Sequence, residues 1–356
     1  MRKQILCLLI TLGVAKPLSA HPYFIRLGYS TCTTCHISPQ GGSILTAYGE
    51  GVERALSLLR EPEQNGEEES PRLLYDMRAL VVGSSTNGVP ASSFQLLASN
   101  SFKISEHQRL TSTVSVTSPT LAKGLGGKAT VTVPTFVWEL RPSEHFELMA
   151  GRDTLPTGLG SPDPGTFIRV ETDPGSPAYP TQIKGFWRSD RWQLTPYAFG
   201  PSGYEAHAAR EWGSGVLGGI VLFNQHGIIG VSGDAARGSA FDRRSIGGYA
   251  RFGFGKLALL AEHEVAARST NVTTGALIGH TRVVYVPWGW LESWLSTEEF
   301  VTFTPTRDHI VRVLPGMQAR FSKNMLFGLT SRSREIFTPK GQTRIYTATL
   351  TLKVAN

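Results

Sequence analysis

Between residues 73 and 356, apolar and polar side chains alternate in segments of about ten, and clusters of turn residues separate the segments. A period of two gives each strand one apolar and one polar face, and its repetition is the mark of a transmembrane β-barrel. The alternation predicts sixteen strands. The first eight are Leu73–Gly83, Ser92–Ile104, Leu110–Pro119, Ala129–Leu140, His145–Asp153, Thr181–Arg188, Trp192–Gly200 and Gly213–Phe223. The second eight are Gly227–Arg237, Arg243–Phe252, Lys256–Arg268, Thr273–Val286, Leu291–Phe303, Asp308–Phe321, Met325–Glu335 and Thr343–Val354.

Connections after even-numbered strands are tight, as in Ser105-Glu106-His107-Gln108, Asn224-Gln225-His226 and Phe254-Gly255. Those after odd-numbered strands tend to be longer, as at 154–180 and 201–212. Outer-membrane barrels share this asymmetry of short periplasmic turns and long outer loops, and an even strand count returns the chain to the periplasmic side. In the eleventh strand Leu257, Leu259, Ala261 and Val265 are expected to face lipid, with Glu262, Glu264 and Arg268 in the lumen. In the sixteenth, Leu350 is expected outside and Thr349 inside. Pro134 breaks the alternation around Phe136, Trp138 and Glu139, which predicts a bulge. A large soluble sandwich or propeller would alternate too, but the connections favour the barrel.

The residues before 73 read differently. Arg2 and Lys3, the apolar run Ile5 to Val14 and the small pair Ser19-Ala20 give residues 1–20 the form of a secretory signal peptide. Residues 21–72 form a separate segment and linker. In it Ile44, Leu45, Tyr48, Val52, Leu56 and Leu59 recur at helical spacing, ahead of a glutamate-rich stretch from Glu61 to Glu69. Such a short unit makes a poor independent core and is expected to lean on the barrel.

This segment holds the chain's most specific chemistry. Two of the chain's three cysteines fall in Cys32-Thr33-Thr34-Cys35-His36. Thiols two residues apart can each add to a vinyl group of one haem, and the next residue places an imidazole on the iron. Cys32 and Cys35 are therefore read as haem c attachment sites and His36 as its metal ligand. A structural zinc site needs a second ligand pair, and no cysteine remains to supply one. Cys7 lies in the signal peptide.

Composition narrows the rest. Charged residues are only 18% of the chain, beside 38 glycines and 21 prolines, which suits strands and turns. The formal charge of +7 includes Arg2, Lys3 and Lys16 of the leader, so +4 remains for the exported chain. Without a basic stripe interleaved with aromatics, nucleic acid is not an expected partner. No nucleophile elbow or phosphate loop is present. The fold class is thus an all-β transmembrane antiparallel outer-membrane β-barrel of about sixteen strands, with a small N-terminal α-helical haem-binding plug.

The run Pro22-Tyr23-Phe24-Ile25-Arg26, then Gly28, the Cys32 to His36 motif, and later Leu45, Tyr48 and Gly49 resembles the fused outer-membrane cytochrome-porins of iron-oxidising bacteria. The resemblance in residues covers positions 20 to 50 and is otherwise architectural. It implies an electron conduit that oxidises extracellular Fe(II) and passes electrons to a periplasmic c-type cytochrome, with outer-membrane lipids around the barrel. Electron export, or a haem-plugged porin for solute diffusion, are the alternative readings; whether the chain is an enzyme stays open.

Secondary expectations concern the sites around that haem. Met77, His21 and a lumen histidine such as His309 compete as the sixth ligand. Loop 154–180, with Asp163, Glu171 and Asp173, offers carboxylates suited to a hard metal but reads first as a solvated loop over the barrel mouth. Trp288 and Trp290 read as interfacial girdle residues.

Overall fold

The computed structural model describes residues 73–84, 91–117, 130–159, 179–201, 210–238, 242–269, 273–303, 309–322, 325–338 and 341–355, together with Tyr48, Val52, Leu56 and Leu58. The strands are β1 (Leu73–Ser84), β2 (Ala91–Ser105), β3 (Gln108–Thr117), β4 (Thr130–Ser143), β5 (Phe146–Arg152), β6 (Thr181–Arg188), β7 (Trp192–Gly200) and β8 (Glu211–Leu222). Then come β9 (Gly227–Gly238), β10 (Asp242–Phe254), β11 (Leu257–Ser269), β12 (Thr273–Trp288), β13 (Leu291–Thr302), β14 (His309–Ser322), β15 (Met325–Thr338) and β16 (Gly341–Ala355). All sixteen join in one closed antiparallel barrel, each bonded to its sequence neighbours and β1 to β16. The sequence placed every strand end to within three residues of these bounds.

Alternation turns directly into inside and outside. On β9, Ile229 and Val231 are 48% and 63% exposed on the outer surface, whereas Ile228, Ser232 and Asp234 are buried inside. On β11, Leu257, Leu259 and Val265 face out while Glu262 and Glu264 are buried, as the pattern predicted. The side-chain faces expected for Leu350 and Thr349 lie outside the described side chains. The β3–β4 ladder slips between Thr113 and Ser115, so that Val133 and Pro134 share one partner position. That is the bulge Pro134 required, because its ring nitrogen cannot donate to the ladder.

The seven even-to-odd hairpins lie at one rim, which we call the tight-turn end. In the β8–β9 turn Phe223, Asn224 and Gln225 have φ of 53°, 51° and 71°, and the His226 amide donates to the Phe223 carbonyl at 3.1 Å. Left-handed central residues match the twist of a two-strand ribbon, and asparagine tolerates them better than most residues. Gly255, at φ 55°, does the same work between β10 and β11.

The described part of the N-terminal segment reaches this rim. Tyr48 and Val52 are helical, and the Leu56 amide donates to the Val52 carbonyl at 3.1 Å, so the expected helical spacing holds there. The Leu58 amide then donates to the Arg320 carbonyl of β14 at 2.9 Å. Leu56 lies over Gly289 in the β12–β13 turn, where a Cβ would come within 2.9 Å of its Cδ2.

Candidate functional site

The lumen is narrowed by chain that follows β5. Asp153 to Leu159 leave the strand and run along the inner wall, and all but Thr154 are buried. Composition alone led to a different expectation, a solvated loop over the mouth. The structure corrects it: the start of that loop folds inward and descends. Asp163, Glu171 and Asp173 lie outside the described residues, and no group of three potential metal ligands occurs among the described residues.

The descent begins with ionic and amide bonds. Lys184 of β6 is 1% exposed and donates to Asp153 Oδ2 at 2.8 Å. Its neighbour Gln182 donates through Nε2 to the carbonyls of Asp153 at 2.6 Å and Thr154 at 2.9 Å. Leu155 then packs against Tyr197 and Phe199 of β7 and Ala236 of β9. Leu159 joins an apolar layer of Ile228, Tyr249, Ala258, Leu260, Val284 and Val286 nearer the tight-turn end.

At the bottom the segment is fastened twice. The Leu159 amide donates to Glu262 Oε2 at 2.9 Å, and Arg251 Nη2 donates to the Leu159 carbonyl at 2.7 Å. Gly158 is required at this place. Its φ is +46°, and the space of a side chain is taken by the Glu262 carboxylate. Glu262 and Arg251 thus act as a latch from mid-barrel, 103 residues away in sequence for the first of these bonds.

Around the latch the wall carries charge in closed sets. Arg243 meets both oxygens of Asp234 at 2.9 and 3.0 Å and Glu211 at 3.3 Å, with Ser245 donating to Asp234 at 2.9 Å. Glu147 is bracketed by Arg141 at 2.8 Å and Arg188 at 3.1 Å. One row runs Glu262, His280, Glu298 and Arg312 across β11 to β14. In it Glu298 lies 3.4 Å from His280 and 3.2 Å from Arg312. The β2–β3 wall is different: Ser99, Thr111, Thr113 and Ser115 give it hydroxyls, and Ser99 and Thr113 bond each other at 2.9 Å.

The residues singled out for haem fare differently. Cys32, Cys35, His36 and His21 lie outside the described residues. Met77 is placed only by its backbone, paired with Leu96 and Val354. His309 does not line the lumen. It shares the outer surface with Glu299, 2.8 Å from it, near the rim opposite the tight turns. Among the described residues the buried inward histidine is His280, which parity on β12 could have revealed. Trp288 is 58% exposed, as a girdle residue should be, and its ring stacks on Trp290 with centroids 5.6 Å apart.

A closed sixteen-stranded antiparallel barrel with tight turns at one rim and longer connections at the other is the architecture of an outer-membrane β-barrel protein. Solved structures agree on the fold. Over 83% of this chain and all of that one, the outer membrane channel DcaP of Acinetobacter baumannii superposes with a TM-score of 0.62 at 8% identity. A loop-deleted OmpT, an outer membrane protein of Vibrio cholerae, gives 0.61 at 10% identity over 81% of this chain and 99% of that one. An anion-selective porin from Comamonas acidovorans gives 0.58 at 10% identity over 81% of this chain and 100% of that one. No family model and no curated protein matches the chain.

Proposed function

We propose that this chain is an outer-membrane channel for small solutes, carrying a haem-binding segment at its periplasmic mouth. The observation that carries the channel reading is the latched segment Asp153 to Leu159, which narrows the lumen from within while remaining bonded to one side of the wall. Small hydrophilic solutes fit a lumen lined by hydroxyls on one side and paired charges on the other. In planar bilayers the protein should give stable, size-limited conductance, and Glu262→Ala, which frees the Leu159 amide, should enlarge it. Bilayers that stay as tight as bare lipid would overturn the channel.

A second reading is favoured by the sequence from Cys32 to His36 together with the seat of Leu56 and Leu58 at the tight-turn end. The donor set, two thiols and an imidazole, suits haem c, which would supply one-electron redox chemistry. Cys32 and Cys35 would hold it covalently, His36 would bind its iron, and Leu56 and Leu58 would keep it by the inner mouth. On this reading the protein transfers electrons between an external donor, Fe(II) first among those to try, and a periplasmic c-type cytochrome. Liposomes with a trapped acceptor separate the two. A donor too large to permeate should still reduce the acceptor, and His36→Ala should abolish this. Reduction that follows only the permeability of the donor leaves the diffusion channel alone.

A further inference from the structure

The outer surface of β8 to β10 carries a cationic patch that neither transport reading uses. Arg237 is on the outer face of β9 with its side chain 87% exposed, and its register partner on β8 is Trp212, 70% exposed. Arg244 of β10 is exposed on the same face, pairing with Ala235, so it is the diagonal neighbour of Arg237. Arg210 is exposed two residues before Trp212. The patch lies at the long-loop end. The other cations of this wall point inward; Arg243, between Asp242 and Arg244, is fully buried and held by Asp234 and Glu211.

One carboxylate shares the patch. Asp242 is half-exposed and pairs with Arg237, Oδ1 to Nε 3.8 Å, so one carboxylate stands against three guanidinium groups and the balance stays cationic. Toward the tight-turn end the same strands present only apolar or small groups outward. Val216, Ile229, Val231 and Ile246 are each more than 40% exposed, and Gly233 and Gly248 keep the surface flat between them.

We propose that this surface binds a phosphorylated glycolipid of the outer leaflet. The guanidinium groups would take its phosphates, and the apolar wall would take its acyl chains. Arginine suits phosphate because its planar fork donates two parallel hydrogen bonds. Three strands span about 10 Å in the bonding direction, which matches a sugar headgroup rather than a single small ion. Trp212 is suited to the boundary between the two zones, apolar body inward and indole N–H at the headgroups. The inference rests on the outer-membrane reading, which fixes the long-loop end as the outer one.

The test uses the full chain purified in detergent and stripped of lipid. Native mass spectrometry would follow its binding of a diphosphorylated glucosamine lipid, of the same lipid without phosphates, and of phosphatidylglycerol. The diphosphorylated lipid should bind at least tenfold more tightly than either of the others. The double variant Arg237→Gln, Arg244→Gln should lose that preference, and Arg191→Gln at the opposite rim should keep it. A sheet-dominated circular dichroism spectrum of the same samples shows that the barrel is folded, and conductance tests the channel separately. Should the double variant fail to fold, Arg210→Gln and Arg237→Gln singly should each lower the preference. Equal binding of the phosphate-free lipid, equal binding of phosphatidylglycerol, or indifference to the variants would each overturn the proposal.

Discussion

Two stretches of chain outside the strands meet the barrel wall, and they are held in different ways. Asp153 to Leu159 enters from the long-loop end and is fixed by a buried ion pair, amide bonds at both ends and two apolar layers. The described residues of the N-terminal segment rest at the other end on one backbone bond to Arg320 and a leucine over Gly289. The first is part of the wall in all but connectivity. The second is a module set against a finished rim. What distinguishes them is the use of buried polar atoms: the infolded segment takes four side chains from three strands to its backbone, whereas the described bond of the N-terminal segment to the wall is backbone to backbone.

The sharpest way to break this comparison is at Lys184. Lys184→Met keeps the volume but leaves Asp153 without its buried cation, which should cost about 3–5 kcal/mol, read as a lower unfolding midpoint in detergent. Adding Asp153→Asn should recover most of the loss. A single variant as stable as the parent would mean that the ion pair does not hold the segment.

Next in size is a change that affects neither stretch and calibrates both. Val231→Arg places a charge on the lipid face midway along β9 and should cost about 2–4 kcal/mol if that point is near the membrane centre. Arginine at Ser101, half-buried on the lumen wall beside Thr111, should cost less. Equal tolerance at both positions, measured by reversible unfolding in bilayers, would contradict the assigned lipid face.

The smallest effect is expected at the rim. Gly289→Val overpacks the seat of Leu56, a cost of about 1–3 kcal/mol, but only detachment of the N-terminal segment should follow. Limited proteolysis between residues 59 and 72 should quicken while the barrel's unfolding midpoint stays put. Parallel loss of both would show the two units to be one.

The barrel was legible because a period of two and its turn residues mark each strand independently. Asn224-Gln225 and Gly255 sit where the hairpins need left-handed backbone, and Pro134 sits where the ladder slips. Glu262 and Glu264 were readable as inward from the leucines around them. Their partners were not. Nothing in Leu155-Pro156-Thr157-Gly158 separates an infolded segment from a solvated one, because the groups that hold it, Glu262 and Arg251, lie about a hundred residues away. His309 was misplaced for a related reason: one residue of slip reverses the face of a strand, and His309 is the first residue of β14, where the alternation has only begun. The pairing of Trp288 with Trp290 suggested the girdle but not the leucine set between them.

The pairing of β1 with β16 also has a consequence for the order of assembly. Met77 meets Val354 in that ladder, so the ring cannot shut until the last strand has been delivered. Long-range closure of this kind is slow, since the chain entropy must be surrendered before the contacts form. The seat of the N-terminal segment is built from β12 to β14, on the far side of the same seam. Docking of Leu56 and Leu58 therefore straps the first strand to the last hairpins.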